Sequence, residues 1–167
     1  VASVLSLSLF SERLKSALTE KSAEFIAADR VLQSNKPVDF AWIEKAQEMG
    51  LNTAHQTYAR SMVFANEQMD LVDLRAAGTG YPLKGTVKVA NEPFTQGVAI
   101  TQLPESGETW IESQLFQTLG INIGDNIEVG DKIFKVSKVL TEVPDAGFSV
   151  FGGDPKVLIS KEDLAAT

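Results

Sequence analysis

The chain has 167 residues, 44% hydrophobic and 22% charged, which are ordinary globular values and speak against disorder. Its formal charge of −7 argues against nucleic acid as a partner and disfavours docking on an anionic membrane, because both need a basic face. With no cysteine, a disulfide framework and a thiolate zinc site are excluded as well.

The chain opens on Val1 and a run of apolar residues through Phe10, too short to cross a bilayer, which takes about 20 residues. No basic region precedes it and no small-residue cleavage site follows, so it reads as the tail of a longer apolar helix. Residues 11–28 continue as a helix, with Leu7, Phe10, Leu14 and Leu18 on a narrow apolar stripe. A strand is expected over 29–34, since the turn cluster Ser34-Asn35-Lys36-Pro37 follows and Pro37 favours extended geometry before it. Asp39 then caps a helix carrying Phe40, Ile43, Ala46 and Met49, and Gly50 ends it. The runs 51–65 and 67–77 read as a hairpin turning at Asn66-Glu67. Gly78-Thr79-Gly80 is followed by Tyr81-Pro82 instead of a helix start, so it is a turn and not a dinucleotide fingerprint.

Gly85 begins a new strand, and a further short apolar run lies at 98–100. The composition change at 78–85 marks a boundary between two subdomains. Trp110 and Ile111 open an apolar patch that Leu115, Phe116 and Leu119 continue at helical spacing, and Gly120 stops that helix. Beyond it the pattern is β, with Gly130-Asp131 as a tight hairpin turn between two strands. A final strand at 156–159 leads to Ser160, expected as the N-cap of a closing helix with Asp163 in the capping-box position. Strands interleaved with short helices make an α+β fold.

No catalytic constellation emerges. His55 is the only histidine and has no nucleophile motif beside it. Asp125, Glu128 and Asp131 lack the spacing of a calcium loop, and both aspartates follow Gly, where their side chains serve turns. Among the 22 acids nothing selects a pair for glycoside chemistry. Trp42 and Trp110 lie on expected helices with apolar neighbours and read as core residues. The loop after Pro144 differs from an ordinary solvent loop. Phe148, Val150 and Phe151 sit between glycines, either folded back on the core or forming a partner contact.

Several segments together resemble a known family. They are A-A-D-R-V-L at 27–32, G-Y-P-L-K-G at 80–85, W-I-E-S-Q-L-F-Q-T-L-G-I-N-I-G-D-N-I-E-V-G at 110–130, E-V-P-D-A-G at 142–147, and V-L-I-S-K-E-D-L-A-A-T at 157–167. This pattern is similar to the first large extracytoplasmic domain of FtsX-like, MacB-like ABC transporter permeases. It is closest to the YbbP permeases and more distant from MacB, LolC and LolE.

The resemblance implies a mixed α/β porter-like subdomain, 22–84 with 148–167, into which a small β-rich subdomain, 85–147, is inserted. Residues 1–21 would continue from a transmembrane helix, and 163–167 would lead toward the next one. It further implies a non-catalytic periplasmic domain of a bacterial inner-membrane protein, without cofactor or metal. That domain would couple ATP hydrolysis by a cytoplasmic ABC ATPase subunit to periplasmic motion. A periplasmic esterase or thioesterase, or a hydrophobic cargo, would be its partner, with Phe148, Val150 and Phe151 as the candidate contact. Two readings from other classes stand beside it: a small β-rich hydrolase with paired carboxylates, and a stand-alone periplasmic binding module.

Overall fold

A computed structural model describes residues 9–18, 27–145 and 153–167. Residues 9–18 form helix α1. Helix α2 spans Phe40–Glu48, and Asp39 caps it by accepting from the Ala41 amide at 3.0 Å. Its other end closes as a Schellman motif: Gly50, at φ +78°, donates to Gln47 O, and Leu51 donates back to Ala46 O. Residues 29–34 are not a strand. They are largely exposed with no neighbouring strand edge, and Ala27 already bends the chain at φ +54°.

Eight strands follow: β1 Gln56–Ala65, β2 Gln68–Ala77, β3 Val87–Ala90, β4 Val98–Ile100, β5 Glu108–Glu112, β6 Asn126–Val129, β7 Lys132–Glu142 and β8 Lys156–Ser160. Their order is β4-β3-β7-β5-β8-β2-β1-β6, and β6 also pairs with β7. The six strands from β7 round to β6 therefore close into a barrel, with β3 and β4 as a flap hydrogen-bonded to the far end of β7. This is a mixed α+β fold whose β-rich part is a six-stranded barrel. Strands from both sides of Gly85 pair within it.

The local chemistry is legible at each turn. Asn66 and Glu67 both take positive φ, +49° and +62°, the conformation a two-residue hairpin of this hand needs. Asn66 Nδ2 also donates to Gly120 O at 2.9 Å, tying the hairpin to the end of helix α3, Ser113–Leu119. Gly120 ends α3 in the left-handed region, and Ile121 N returns to Phe116 O at 3.1 Å. Asp125 accepts from the Asn122 amide at 2.8 Å, so its carboxylate serves the turn. Gly130, at φ +59°, makes the β6–β7 turn, and a Cβ there would lie 2.5 Å from the Thr167 carbonyl. Gly130→Ala should cost more than about 1 kcal/mol in a denaturant titration, from strained backbone and this contact together; an unchanged midpoint would show that the turn relaxes freely.

Two cores result. The barrel interior holds Val63, Val72, Leu74, Ile127, Phe134, Val136 and Ile159, with Leu115, Phe116 and Leu119 of α3 packed among them. A second core on the outer face gathers Tyr81, Val87, Val89, Trp110, Leu140 and Leu158. Strands β5 and β8 are thus covered on both faces, which is why 157–159 reads as an unbroken apolar run. Trp110 is therefore a strand residue. It is 2% exposed and donates Nε1 to Ser137 Oγ at 3.1 Å, beside the register shift where β7 bends. Trp42 goes the other way, 67% exposed on α2 instead of in a core.

The closing segment is a 3-10 helix, Lys161–Ala166, and Ser160 makes no side-chain cap there. Asp163 is buried and reaches across the chain, accepting from Ser106 Oγ at 2.6 Å, Gly107 N at 2.8 Å and Lys132 Nζ at 2.5 Å. Burial alone would raise its pKa, but these donors outweigh it and hold the carboxyl below its usual value. The stability it contributes is present above the unfolded carboxylate pKa and is lost as pH falls through the lower folded value. Asp163→Asn should flatten that acid limb and cost about 2 kcal/mol at neutral pH; an unaltered acid midpoint would contradict the assignment.

Candidate functional site

The expected contact residues Phe148, Val150 and Phe151 lie outside the described residues. What the structure does place is both flanks of their segment, and each is held by a charge on the β1–β2 ribbon. Period-two alternation sends Val72, Leu74 and Ala76 into the barrel and Asp73 and Arg75 to the outer face. There Arg75 is fully buried. It donates Nη1 to Asp145 Oδ1 at 2.9 Å, and Nε and Nη2 to Asp73 Oδ2 at 3.3 and 3.1 Å. Tyr58, directly across the ribbon from Arg75, lies with its ring 5.1 Å from the guanidinium and donates its hydroxyl to Asp145 Oδ2. Tyr81, from the turn after β2, donates to Asp145 Oδ1 at 2.6 Å.

Asp145 thus collects an arginine and two tyrosine hydroxyls. Both phenols are pushed far above their ordinary pKa, by burial first and by the Asp145 charge second, so they remain hydrogen-bond donors. Burial would lower the Arg75 pKa, but Asp145 and Asp73 more than offset this and raise it. On the far side of the segment, Asp154 accepts from Arg60 Nη2 at 2.7 Å and Nε at 2.9 Å. A clamp of buried charge therefore fixes one flank, and a partly exposed forked pair fixes the other.

Tyr81 and Asp145 lie in two of the segments that carry the resemblance, but nothing local marks them as parts of one site. Asp73 and Arg75 on one face of an otherwise apolar strand were the available signal. Asp145 joins them from 70 residues away. The clamp itself is not a pair of carboxylates of the glycoside type. The acids brought together, Asp73 and Asp145, are buried and bridged by Arg75, whereas glycoside chemistry needs two acids flanking a space for substrate. No group of side chains suited to a metal ion occurs among the described residues, nor does a helix long and apolar enough to cross a membrane.

Beside the clamp lies a groove of about 850 Å³. Phe40 and Ile43 of α2 line it together with Ile100 and Leu103, and His55 and Lys161 bring polar groups to it. The Lys161 ammonium contacts His55 Nδ1 and sits 5.4 Å from the centre of the Phe40 ring. Burial and the Lys161 charge, in that order, lower the His55 pKa, which keeps the imidazole neutral and accepting. Tyr81 belongs to both sites, lining the groove while its hydroxyl holds Asp145.

Over all of its 167 residues the chain is 32% identical to the Uncharacterized ABC transporter permease YbbP of Escherichia coli (strain K12). The chain is homologous to part of an ABC transporter permease. This bears out the resemblance to YbbP-type permeases carried by the segments quoted above. The chain spans 20% of the length of that relative. No family model matches the chain. Among solved structures, the extracellular domain of the noncanonic ABC-type transporter YknZ from Gram-positive bacteria is similar, with a TM-score of 0.49 and 14% identity. The similarity covers 68% of this chain and 56% of that one.

Proposed function

We propose that this chain is the extracytoplasmic, periplasmic domain of an inner-membrane ABC permease. In this reading it is non-catalytic and passes conformational change, driven by a cytoplasmic ATPase subunit, to a periplasmic partner or cargo. The observation that carries the reading is the 32% identity, over all 167 residues of the chain, to part of a permease. Its physical counterpart is a close-packed barrel whose buried charges, at Arg75 with Asp73 and Asp145 and at Asp163, are paired with one another or with polar neighbours. Such a body is suited to transmitting force, since close-packed cores deform little. The segment with Phe148, Val150 and Phe151 is the contact surface in this reading, carried between the Asp145 and Asp154 anchors. A periplasmic esterase or thioesterase, or a hydrophobic cargo, is the partner that large apolar side chains between glycines would suit.

The test is co-purification of the parent permease from native membranes, with Phe148 and Phe151 either intact or both changed to Ser. An ATPase subunit should be recovered with both versions, and a periplasmic protein with the intact version alone. Loss of the ATPase from both would overturn the permease reading. Equal recovery of the periplasmic protein would remove the segment from the interface.

A further inference from the structure

We infer that the groove between α2 and the sheet binds a single-chain amphiphile with an anionic head group, a fatty-acid carboxylate being the simplest, with Lys161 holding the head. Three observations carry this. The first is the state of α2. None of its nine residues is buried, although Phe40, Ile43 and Gln47, at helical spacing, face the groove. A helix of that length is marginal alone in water and gains its stability from what packs against it. Here it borders an open space that Ile100 and Leu103 also line.

The second is the charge of Lys161. Its ammonium touches a neutral imidazole and an aromatic face, and no carboxylate among the described residues pairs with it. Glu162, next in the chain, is exposed at the rim and makes no ion pair with it. In a chain of formal charge −7, an uncompensated cation beside an apolar groove is a place for an anion. The third is size. The groove falls within the roughly 300–1,000 Å³ range of small-molecule sites, and apolar side chains from α2 and the sheet share its lining with hydroxyls, His55 and Lys161. A carboxylate head would meet the Lys161 ammonium, and its alkyl chain would fill the gap between α2 and the sheet.

The experiment is calorimetric titration of the 167-residue chain with dodecanoate, kept below its micellar concentration. Dodecyl maltoside supplies the same tail without charge, and acetate supplies the head without a tail. Dodecanoate should bind saturably with one site, acetate should not bind, and dodecyl maltoside should bind at least about tenfold more weakly. Lys161→Met should weaken dodecanoate by a similar factor while leaving the circular dichroism spectrum unchanged. Ile43→Trp should fill the groove and abolish binding without loss of thermal stability, because no residue of α2 is fully buried. Absence of saturable binding would overturn the inference. So would equal affinity for the charged and neutral amphiphiles, or wild-type binding by either variant. The inference concerns this domain alone, so its failure would leave the permease reading untouched.

Discussion

Asp145→Ala is expected to destabilise the domain by about 3–5 kcal/mol, the range for removing one partner of a buried ion pair. The reason lies in what the substitution strands. Arg75 is fully buried and would keep Asp73 as its one remaining charge partner in the clamp, while the hydroxyls of Tyr58 and Tyr81 would lose the carboxylate that accepts them. Tyr58 keeps Gln56 Oε1 at 2.7 Å as an acceptor, so the cost falls mainly on Arg75 and Tyr81, at about 1–3 kcal/mol for each orphaned donor, although such costs do not simply add. The comparison is Lys88→Ala, which breaks an ion pair with Glu142 at 2.7 Å whose side chains are 39% and 52% exposed. Water and salt already screen that pair, so its loss should cost no more than about 1 kcal/mol. Urea titration of the two variants separates the cases. Equal midpoints would mean that the clamp contributes no more than a surface pair.

Phe134→Ala should be about as damaging, at roughly 3–5 kcal/mol, since it leaves a cavity in the barrel interior. Phe134 is fully buried on β7, the strand that pairs with β6, β5 and β3 in turn. A void there loosens the strand on which barrel closure depends. Trp42→Ser, by contrast, alters a residue 67% exposed on a helix that buries nothing, and should move stability by no more than about 0.5 kcal/mol. Thermal or chemical unfolding distinguishes a barrel core from one centred on α2. A larger loss from Trp42 would place the core where the sequence pattern first suggests it.

That contrast shows what the sequence carries and what it does not. Turn chemistry is local, so the hairpins at Asn66-Glu67 and Gly130-Asp131, the Asp39 cap and the Gly120 stop are all readable from a few neighbouring residues. Barrel closure is not local. Nothing in Val63 and Phe64 announces that they pair with Val129 and Glu128. Trp110 and Ile111 satisfy a helical stripe with Leu115 as well as they satisfy a strand buried on both faces, and only the flanking strands β7 and β8 decide between them. Asp163 follows Ser160 at capping-box spacing, yet Lys132, Ser106 and Gly107 offer it stronger partners from distant segments. The clamp fails to declare itself for the same reason, since Asp73 and Arg75 become a site when Asp145 arrives from beyond β7.

The central claim, that this domain changes conformation in response to a cytoplasmic ATPase, is tested most directly in the assembled permease. The chain has no cysteine, so Leu14→Cys on α1 and Val98→Cys on β4 can be labelled as a fluorescent pair in an otherwise cysteine-free parent. Energy transfer between them is then followed on adding ATP, a non-hydrolysable analogue, or neither. The account predicts a reproducible change with nucleotide that reverses on hydrolysis and is absent when the ATPase subunit is catalytically dead. A transfer efficiency indifferent to nucleotide in a complex that hydrolyses ATP normally would contradict it.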